Sequence, residues 1–153
     1  MRRREWVVDP RVLKRADDLS GDVELTLTVQ AFLFELLQRH SIALDAEEHI
    51  WGEYQRNFPP QSYIRRWWTA MVRKGKVVTR CGKLDYRPEK HLLEKLRFHD
   101  DDLPFVAVAS KGKDRLLVAQ ESDYTEGVVQ YLSYELHVKV VGITEALNIA
   151  RDP

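Results

Sequence analysis

A run of three consecutive carboxylates, Asp100 to Asp102, stands immediately before the apolar segment Leu103 to Ala109. Adjacent like charges repel one another unless a cation or solvent neutralises them, so the run is typical of a site for a hard divalent metal ion. The same residues open a predicted helix, where the positive end of the helix dipole also favours negative charge. The run therefore predicts either metal ligands or a solvated helix start, and the positions of other acids must decide.

Three other acids directly follow predicted strands. Asp9 comes after the buried strand Trp6 to Val8, and Glu121 and Asp123 follow the predicted strand Arg115 to Ala119. The carboxyl ends of parallel strands meet at one edge of a sheet, which is where α/β proteins bind ligands. We therefore expect these acids to approach Asp102 and to form a site for Mg or Mn, which prefer carboxylate oxygens.

A fifth acid, Glu53, lies inside a predicted helix over 46–57 that could lean over the same edge. Glu53 and His49 share a helix face and could hold zinc, but no further zinc-ligand pattern accompanies them, so a carboxylate site is favoured. A purely structural alternative also exists for Asp9, which precedes Pro10 and could serve only to form a turn or to cap the following helix.

Short apolar segments alternate with helical patterns along the whole chain. Such alternation predicts the α/β class, with a three-layer α/β/α sandwich around a central, mainly parallel five-stranded sheet. The predicted strands are 6–8, 41–44, 76–79, 115–119 and 138–141, and the predicted helices are 11–18, 23–40, 46–57, 61–74, 88–96, 105–109, 124–135 and 143–150.

Length and composition indicate one domain over residues 1–153 with an ordinary soluble composition, 44% apolar and 31% charged. Met1 to Arg4 lead straight into a strand pattern without the apolar region of a signal peptide, and no run has the length of a membrane span, so we expect a cytoplasmic protein. The single cysteine, Cys81, excludes an internal disulfide and a zinc site with several cysteines. Because 24 basic residues equal 24 acidic ones, only the distribution of charge can indicate nucleic-acid binding.

The predicted helix over 61–74 interleaves basic and aromatic side chains. Arg65, Arg66 and Lys74 could contact phosphates, and an exposed tryptophan could stack on a base. Trp67 and Trp68 also fall at the spacing of a core-facing helix, so we expect at least one of them to be structural. The exposed part of the helix could equally form a protein interface, since tryptophan and arginine are enriched there.

The order of these elements resembles a PIN-like domain, the family of metal-dependent ribonucleases that includes VapC-type toxins. The resemblance covers nearly the whole chain. It is carried by Trp6 to Leu13 as the opening strand and turn, by His49 to Tyr54 as the helix with the second acid, by Asp101 to Ala109 as the third-acid segment, and by Leu116 to Tyr124 as the fourth strand with its acids.

The resemblance implies that Asp9, Glu53 and Asp102 are catalytic metal ligands. It also places Glu121 at the family's fourth acid, with Asp123 beside it as a further metal ligand. Two departures stand out, since Glu121 replaces the usual Asp and Pro10-Arg11 replaces a small polar pair ending in Asn. Arg11 brings a cation to the site, where it could bind phosphate or weaken metal binding.

The main hypothesis is therefore an Mg- or Mn-dependent endoribonuclease that cleaves single-stranded RNA, with Arg11, Arg65, Arg66 and Lys74 holding the backbone. By resemblance it could be the toxin of a toxin–antitoxin pair, with an antitoxin partner and a homodimeric state. A second hypothesis is a catalytically weakened PIN-like module that binds nucleic acid or regulates. A third, a receiver-like phosphoacceptor, uses acids at the same sheet edge but leaves Glu53 without a role.

Overall fold

The computed structural model describes residues 2–120 and 124–153, so the predictions at Glu121 and Asp123 lie outside the described residues. Five parallel strands form one sheet in the order β3-β2-β1-β4-β5. The predicted α/β class and the central sheet are confirmed. The strands are Glu5–Val8 (β1), Ser41–Asp45 (β2), Val77–Arg80 (β3), Leu116–Val118 (β4) and Lys139–Val141 (β5).

The α-helices of the described residues match most predicted segments. Three single turns add to them: 3₁₀ turns at Arg15–Asp17 and Asp100–Asp102, and a wider turn at His91–Lys95 that extends the preceding helix. The helices are Pro10–Lys14 (α1), Val23–Arg39 (α2), His49–Asn57 (α3), Tyr63–Arg73 (α4), Tyr86–Lys90 (α5), Leu103–Lys111 (α6), Glu126–Leu136 (α7) and Ile143–Arg151 (α8).

The strand order determines how the helices divide between the two faces of the sheet. The chain first moves outward from β1 to β2 to β3 and then returns to β4 and β5 on the other side of β1. Right-handed crossovers therefore place α2 and α4 on one face and α6 and α7 on the other. In agreement, α2 packs against α4 and α8, whereas α6 crosses β1, β2 and β4. The result is the predicted three-layer sandwich.

Helix α3 begins at His49, three residues later than predicted, because of Asp45 at the end of β2. The two carboxylate oxygens of Asp45 accept the backbone N–H groups of His49 and Ile50, at 2.9 and 2.7 Å. These bonds satisfy donors that a helix start leaves without partners. Residues 46–48 form the turn that brings α3 over the sheet edge.

Two tryptophans of α4 belong to the core. Trp67 and Trp68 are both 5% exposed, and the indole Nε1 of Trp67 donates to the Leu33 carbonyl at 2.8 Å. Trp68 stacks on the half-buried Trp51 with ring centroids 5.3 Å apart. The expectation of a structural tryptophan is confirmed, and the expectation of an exposed stacking tryptophan on this helix is wrong.

No helix in the described ranges combines the length and the apolar character needed to cross a membrane.

Candidate functional site

Asp9 occupies the carboxyl end of the central strand β1. Its backbone N–H donates to the Val118 carbonyl at 2.9 Å, which ties it to the end of β4. Its side chain caps α1 by accepting the N–H of Arg11, and Pro10 stands at the first helical position. The residue is fully buried. The capping role considered for Asp9 is therefore real, and it leaves a buried carboxylate at the sheet edge.

Arg11 joins Asp9 to Asp102. Its Nε and Nη2 atoms donate to the two carboxylate oxygens of Asp9 at 3.0 and 2.8 Å, and Nη2 also lies 3.2 and 3.3 Å from the oxygens of Asp102. The side chain of Asp9 is 1% exposed, that of Asp102 is 17% exposed and that of Arg11 is 44% exposed. A single guanidinium group thus contacts two acids that lie far apart in the sequence.

Burial is the main influence on the protonation of the Asp102 carboxyl group. Burial raises the pKa of Asp102, Arg11 acts to lower it, and the charge of Asp9 raises it again, with a net increase. Beneath the site, the hydroxyl of Tyr54 donates to the Val8 carbonyl, and burial followed by the charge of Asp9 raises the pKa of this tyrosine. Among the described residues, the Arg11 guanidinium contacts two carboxylates, those of Asp9 and Asp102.

Glu53 reaches the same cleft from α3. It lines a cleft of about 500 Å³ together with Arg11 and Asp102. Its carboxylate pairs with Arg56 at 2.6 Å, and the side chain of Arg56 is 66% exposed. The structure therefore brings three of the predicted ligands together, with Asp9 behind Arg11 and with Glu53 and Asp102 on the cleft walls.

The predicted acids after β4 are Glu121 and Asp123, which fall outside the described residues. The last described residue before them, Gln120, lines a groove together with Arg11 and Asn57. Gln120 therefore lies beside the cleft, since Arg11 and Asn57 line both.

Asp101 and Asp102 of the 100–102 run both line this cleft, and Asp102 is the one that contacts Arg11. Asp100 and Asp101 are exposed, and their carboxylates lie 3.6 and 3.7 Å from Nδ1 of His99. The backbone N–H of Asp101 donates to the same ring nitrogen. This exposed group, whose ligand atoms lie within 4.8 Å of one another, is explained as a capped helix start. Asp102 is the acid that turns inward.

The donor set fits a divalent metal ion on chemical grounds. The carboxylates of Asp9, Glu53 and Asp102 are the hard oxygen ligands that Mg and Mn prefer. Arg11 must leave the centre before an ion can contact both oxygens of Asp9, and its partial exposure gives the side chain an outlet to solvent.

Sequence reasoning placed Arg11 near the site but missed that it occupies the centre. The position of Arg11 two residues after Asp9 could have indicated this. An aspartate that caps a helix accepts the N–H of the residue two positions later, which brings that residue's side chain next to the carboxylate. In the segment Asp9-Pro10-Arg11 this residue is an arginine, whose planar fork matches a carboxylate.

The other predicted nucleic-acid-binding residues lie apart from the acids, on the outer side of α4. Arg65, Arg66 and Lys74 line a shallow groove of about 400 Å³ together with Arg73. Its lining residues include no carboxylate. Arg65 donates to the Phe58 carbonyl at 2.6 Å, which holds it against the start of the helix. The groove is therefore a concentrated positive surface.

A scan of the sequence against protein-family models gives no match, and neither does a search of curated proteins.

Proposed function

We propose that this protein is a PIN-like endoribonuclease that hydrolyses single-stranded RNA with the help of Mg or Mn. The observation that carries the proposal is the shared cation position between Asp9 and Asp102, which Arg11 reaches with distances of 2.8 and 3.2 Å. The buried Asp9 lies with Asp102 and Glu53 at the carboxyl edge of a parallel sheet. This edge is the usual location of ligand sites in such sheets, which supports cation binding there.

In this proposal Asp9, Glu53 and Asp102 hold the metal, with Glu121 and Asp123 as further ligands. A bound metal lowers the pKa of a coordinated water and neutralises charge that develops on the scissile phosphate. Asp9 contributes a fixed carboxylate, because the Arg11 N–H and the β4 backbone orient it. The released guanidinium of Arg11 then becomes available for a phosphate oxygen, for which its geometry is suited.

The α4 groove supports the choice of RNA as substrate. Arg65, Arg66 and Lys74 present cations that can follow a phosphate backbone. Because Trp67 and Trp68 are buried, we expect the α4 groove to bind RNA through ion pairs with phosphates and without base stacking on these tryptophans. The groove therefore favours a substrate recognised by its phosphates more than by its base sequence.

The test is cleavage of labelled single-stranded RNA with Mn, with EDTA, and by the Asp9→Asn, Asp102→Asn double variant. We expect cleavage only in the presence of both metal and these acids. Asp100→Asn is the matched control, since Asp100 belongs to the same acidic run but lies outside the contacts of Arg11. Equal cleavage by the double variant and the wild type would refute the proposal.

A second candidate function is specifically favoured by the bidentate contact between Arg11 and Asp9. If this contact is permanent, the protein is a PIN-like module that binds nucleic acid or regulates without cleaving. Titration calorimetry with Mn separates the two functions. Metal binding by the wild type supports the nuclease, whereas RNA binding without metal binding supports the module.

The resemblance extends the proposal to a cytoplasmic toxin of a toxin–antitoxin pair, with an antitoxin protein as partner and a homodimeric state. Sedimentation of the purified protein tests the dimer. Growth arrest on expression, relieved by the Asp9→Asn, Asp102→Asn substitutions, tests the toxin role.

A further inference from the structure

Several basic residues gather at the amino edge of the parallel sheet, in the segments that precede its strands. Arg3 comes before β1, Lys74 and Lys76 come before β3, and Lys113 comes before β4. Because all five strands run in one direction, these cations gather at the amino edge. The formal net charge of zero gives no sign of this local group of cations.

Backbone contacts bring the cationic segments close together. The Ser41 N–H donates to the Arg4 carbonyl at 3.0 Å, and the Ile42 N–H donates to the Lys76 carbonyl at 2.9 Å. The segments before β1 and β3 therefore flank the start of β2, about 10 Å apart across two strand spacings. On the β4 side, Nζ of Lys113 donates to the Arg3 carbonyl at 3.3 Å.

The carboxylates at this edge are already engaged by other partners. Asp114 pairs with Arg2 at 3.0 Å and also accepts the Glu5 N–H, while the Glu5 carboxylate pairs with Arg80 at 2.7 Å. Within residues 2–120 and 124–153, no carboxylate lies within ion-pair distance of the cations that form what we call the amino-edge patch. These cations are Arg3, Arg73, Lys74, Lys76 and Lys113.

The cations of the patch repel one another. Burial lowers the pKa of Lys76, and the positive charges of Arg3 and Lys74 lower it further. Arg3, Arg73, Lys74 and Lys113 are exposed, so an anion can reach them from solvent. A bound anion would relieve this repulsion and release counterions.

The patch is continuous with the α4 groove. Helix α4 leads directly into the amino end of β3, so Arg73 and Lys74 belong to both surfaces. The other end of α4 points toward the carboxyl edge, where Ile64 lines a groove with Arg11. Arg65 and Arg66 lie near that end, and the eleven-residue helix spans about 16 Å. The cations of α4 thus connect the acidic cleft to the patch.

We infer that the amino-edge patch is a second binding surface for single-stranded RNA, one that anchors the phosphate backbone remote from the acids and without metal. The choice of RNA as the polyanion depends on the proposed function. A flexible single strand fits because the cations come from the separate segments before β1, β3 and β4, and a backbone without fixed geometry can follow them. With Trp67 and Trp68 buried in the adjoining helix, binding follows charge, depends steeply on salt and varies little with base sequence.

The test measures anisotropy of labelled polyuridine in EDTA across a salt series. We expect Lys74→Ala, Lys76→Ala to weaken binding on the order of tenfold and to reduce the log–log salt slope by about 1.4, the value for two lost contacts with a single strand. Because Lys76 is half-buried and Lys74 also belongs to the α4 groove, the exposed pair Arg3→Ala, Lys113→Ala provides a second variant, which spares the core and lies outside that groove. Lys90→Ala, Lys95→Ala is the control, since it removes the same charge from exposed positions outside the patch.

Equal weakening by the control pair would overturn the inference, because net charge alone would then explain the effect. Binding to phosphatidylserine vesicles without binding to RNA would overturn it in favour of a membrane surface. The outcome is separable from that of the proposed function. Polyuridine binding in EDTA that the Asp9→Asn, Asp102→Asn variant retains supports the patch even if no RNA is cleaved.

Discussion

Arg11 and Asp9 form a bidentate ion pair at the carboxyl end of the central strand, with Nε to Oδ1 at 3.0 Å and Nη2 to Oδ2 at 2.8 Å. The aspartate is buried and the arginine is partly exposed, so one end of the pair is fixed and the other can move. The same Nη2 atom also contacts Asp102. In the proposed metal site, an ion that bound both Asp9 and Asp102 would therefore compete with Arg11 for these carboxylates.

Replacement of Arg11 should separate the structural role of the pair from metal binding. We expect Arg11→Ala to bind Mn more tightly than the wild type by calorimetry, since no side chain then competes for Asp9. Without metal, the variant should lose about 2 kcal/mol of unfolding free energy, because a buried carboxylate loses its charged partner. Mn should restore this stability in urea denaturation.

Arg87→Ala is the control for this experiment. Arg87 is exposed on α5, so its replacement should change neither the Mn affinity nor the unfolding free energy. An unchanged Mn affinity in Arg11→Ala would show that Arg11 does not compete for the site.

Glu53 provides a way to change metal affinity without changing stability. We expect Glu53→Gln to weaken Mn binding, because it removes one carboxylate from the cleft. The unfolding free energy should change by less than about 1 kcal/mol, since the ion pair with the exposed Arg56 contributes little. Arg56→Ala breaks the same pair but keeps the acid, so it should bind Mn at least as well as the wild type. An equal loss of Mn affinity in Glu53→Gln and Arg56→Ala would contradict a ligand role for Glu53.

His40 should make folding sensitive to mild acid. Its Nδ1 accepts the Arg4 N–H at 3.0 Å and its Nε2 lies 2.8 Å from the Ala150 carbonyl, so both nitrogens are used by the neutral ring. Burial lowers the pKa of His40 below its ordinary value of 6.5. The unfolded chain therefore binds the proton more readily than the folded one, and stability that is complete above pH 6.5 declines as the pH falls toward the folded pKa.

Urea denaturation on both sides of pH 6.5 tests this expectation. On acidification, the unfolding free energy of the His40→Gln variant should fall less than that of the wild type. The exposed His137 has φ 56°, a conformation that asparagine tolerates, so His137→Asn is a suitable control and should keep the wild-type decline. Identical pH profiles for the wild type and His40→Gln would exclude His40 as the source.

Trp67 should contribute to stability and not to RNA recognition. Trp67→Phe removes the indole donor to the Leu33 carbonyl and leaves a buried acceptor without its partner. We expect a loss of about 2 kcal/mol in unfolding free energy, with unchanged polyuridine affinity under conditions where both proteins are folded. Tyr134→Phe, at a 79% exposed position, is the conservative control. A loss of RNA affinity in Trp67→Phe but not in Tyr134→Phe would show that Trp67 contributes to RNA binding.

Much of the architecture was predictable because it depends on local pattern. The apolar runs around Val7 and Val140 are short and bounded by turn or helix signals, and such segments adopt strands in many contexts. The start of α3 was not predictable with the same accuracy. Asp45 caps α3 from the other side of the turn over residues 46–48. The first residue of the helix therefore depends on how this turn folds over the sheet edge.

The sequence by itself determined the alternation of strands and helices and the acids that follow strands, because residue order and side-chain chemistry are local properties. Tertiary structure decided that Asp102, and not Asp100 or Asp101, turns toward Asp9, and that one guanidinium lies between them. It also decided that Trp67 packs inside while Lys74 joins Arg3 and Lys76 at the amino edge. These relationships depend on the parallel strand order, which brings distant segments to a common edge and which no single segment encodes.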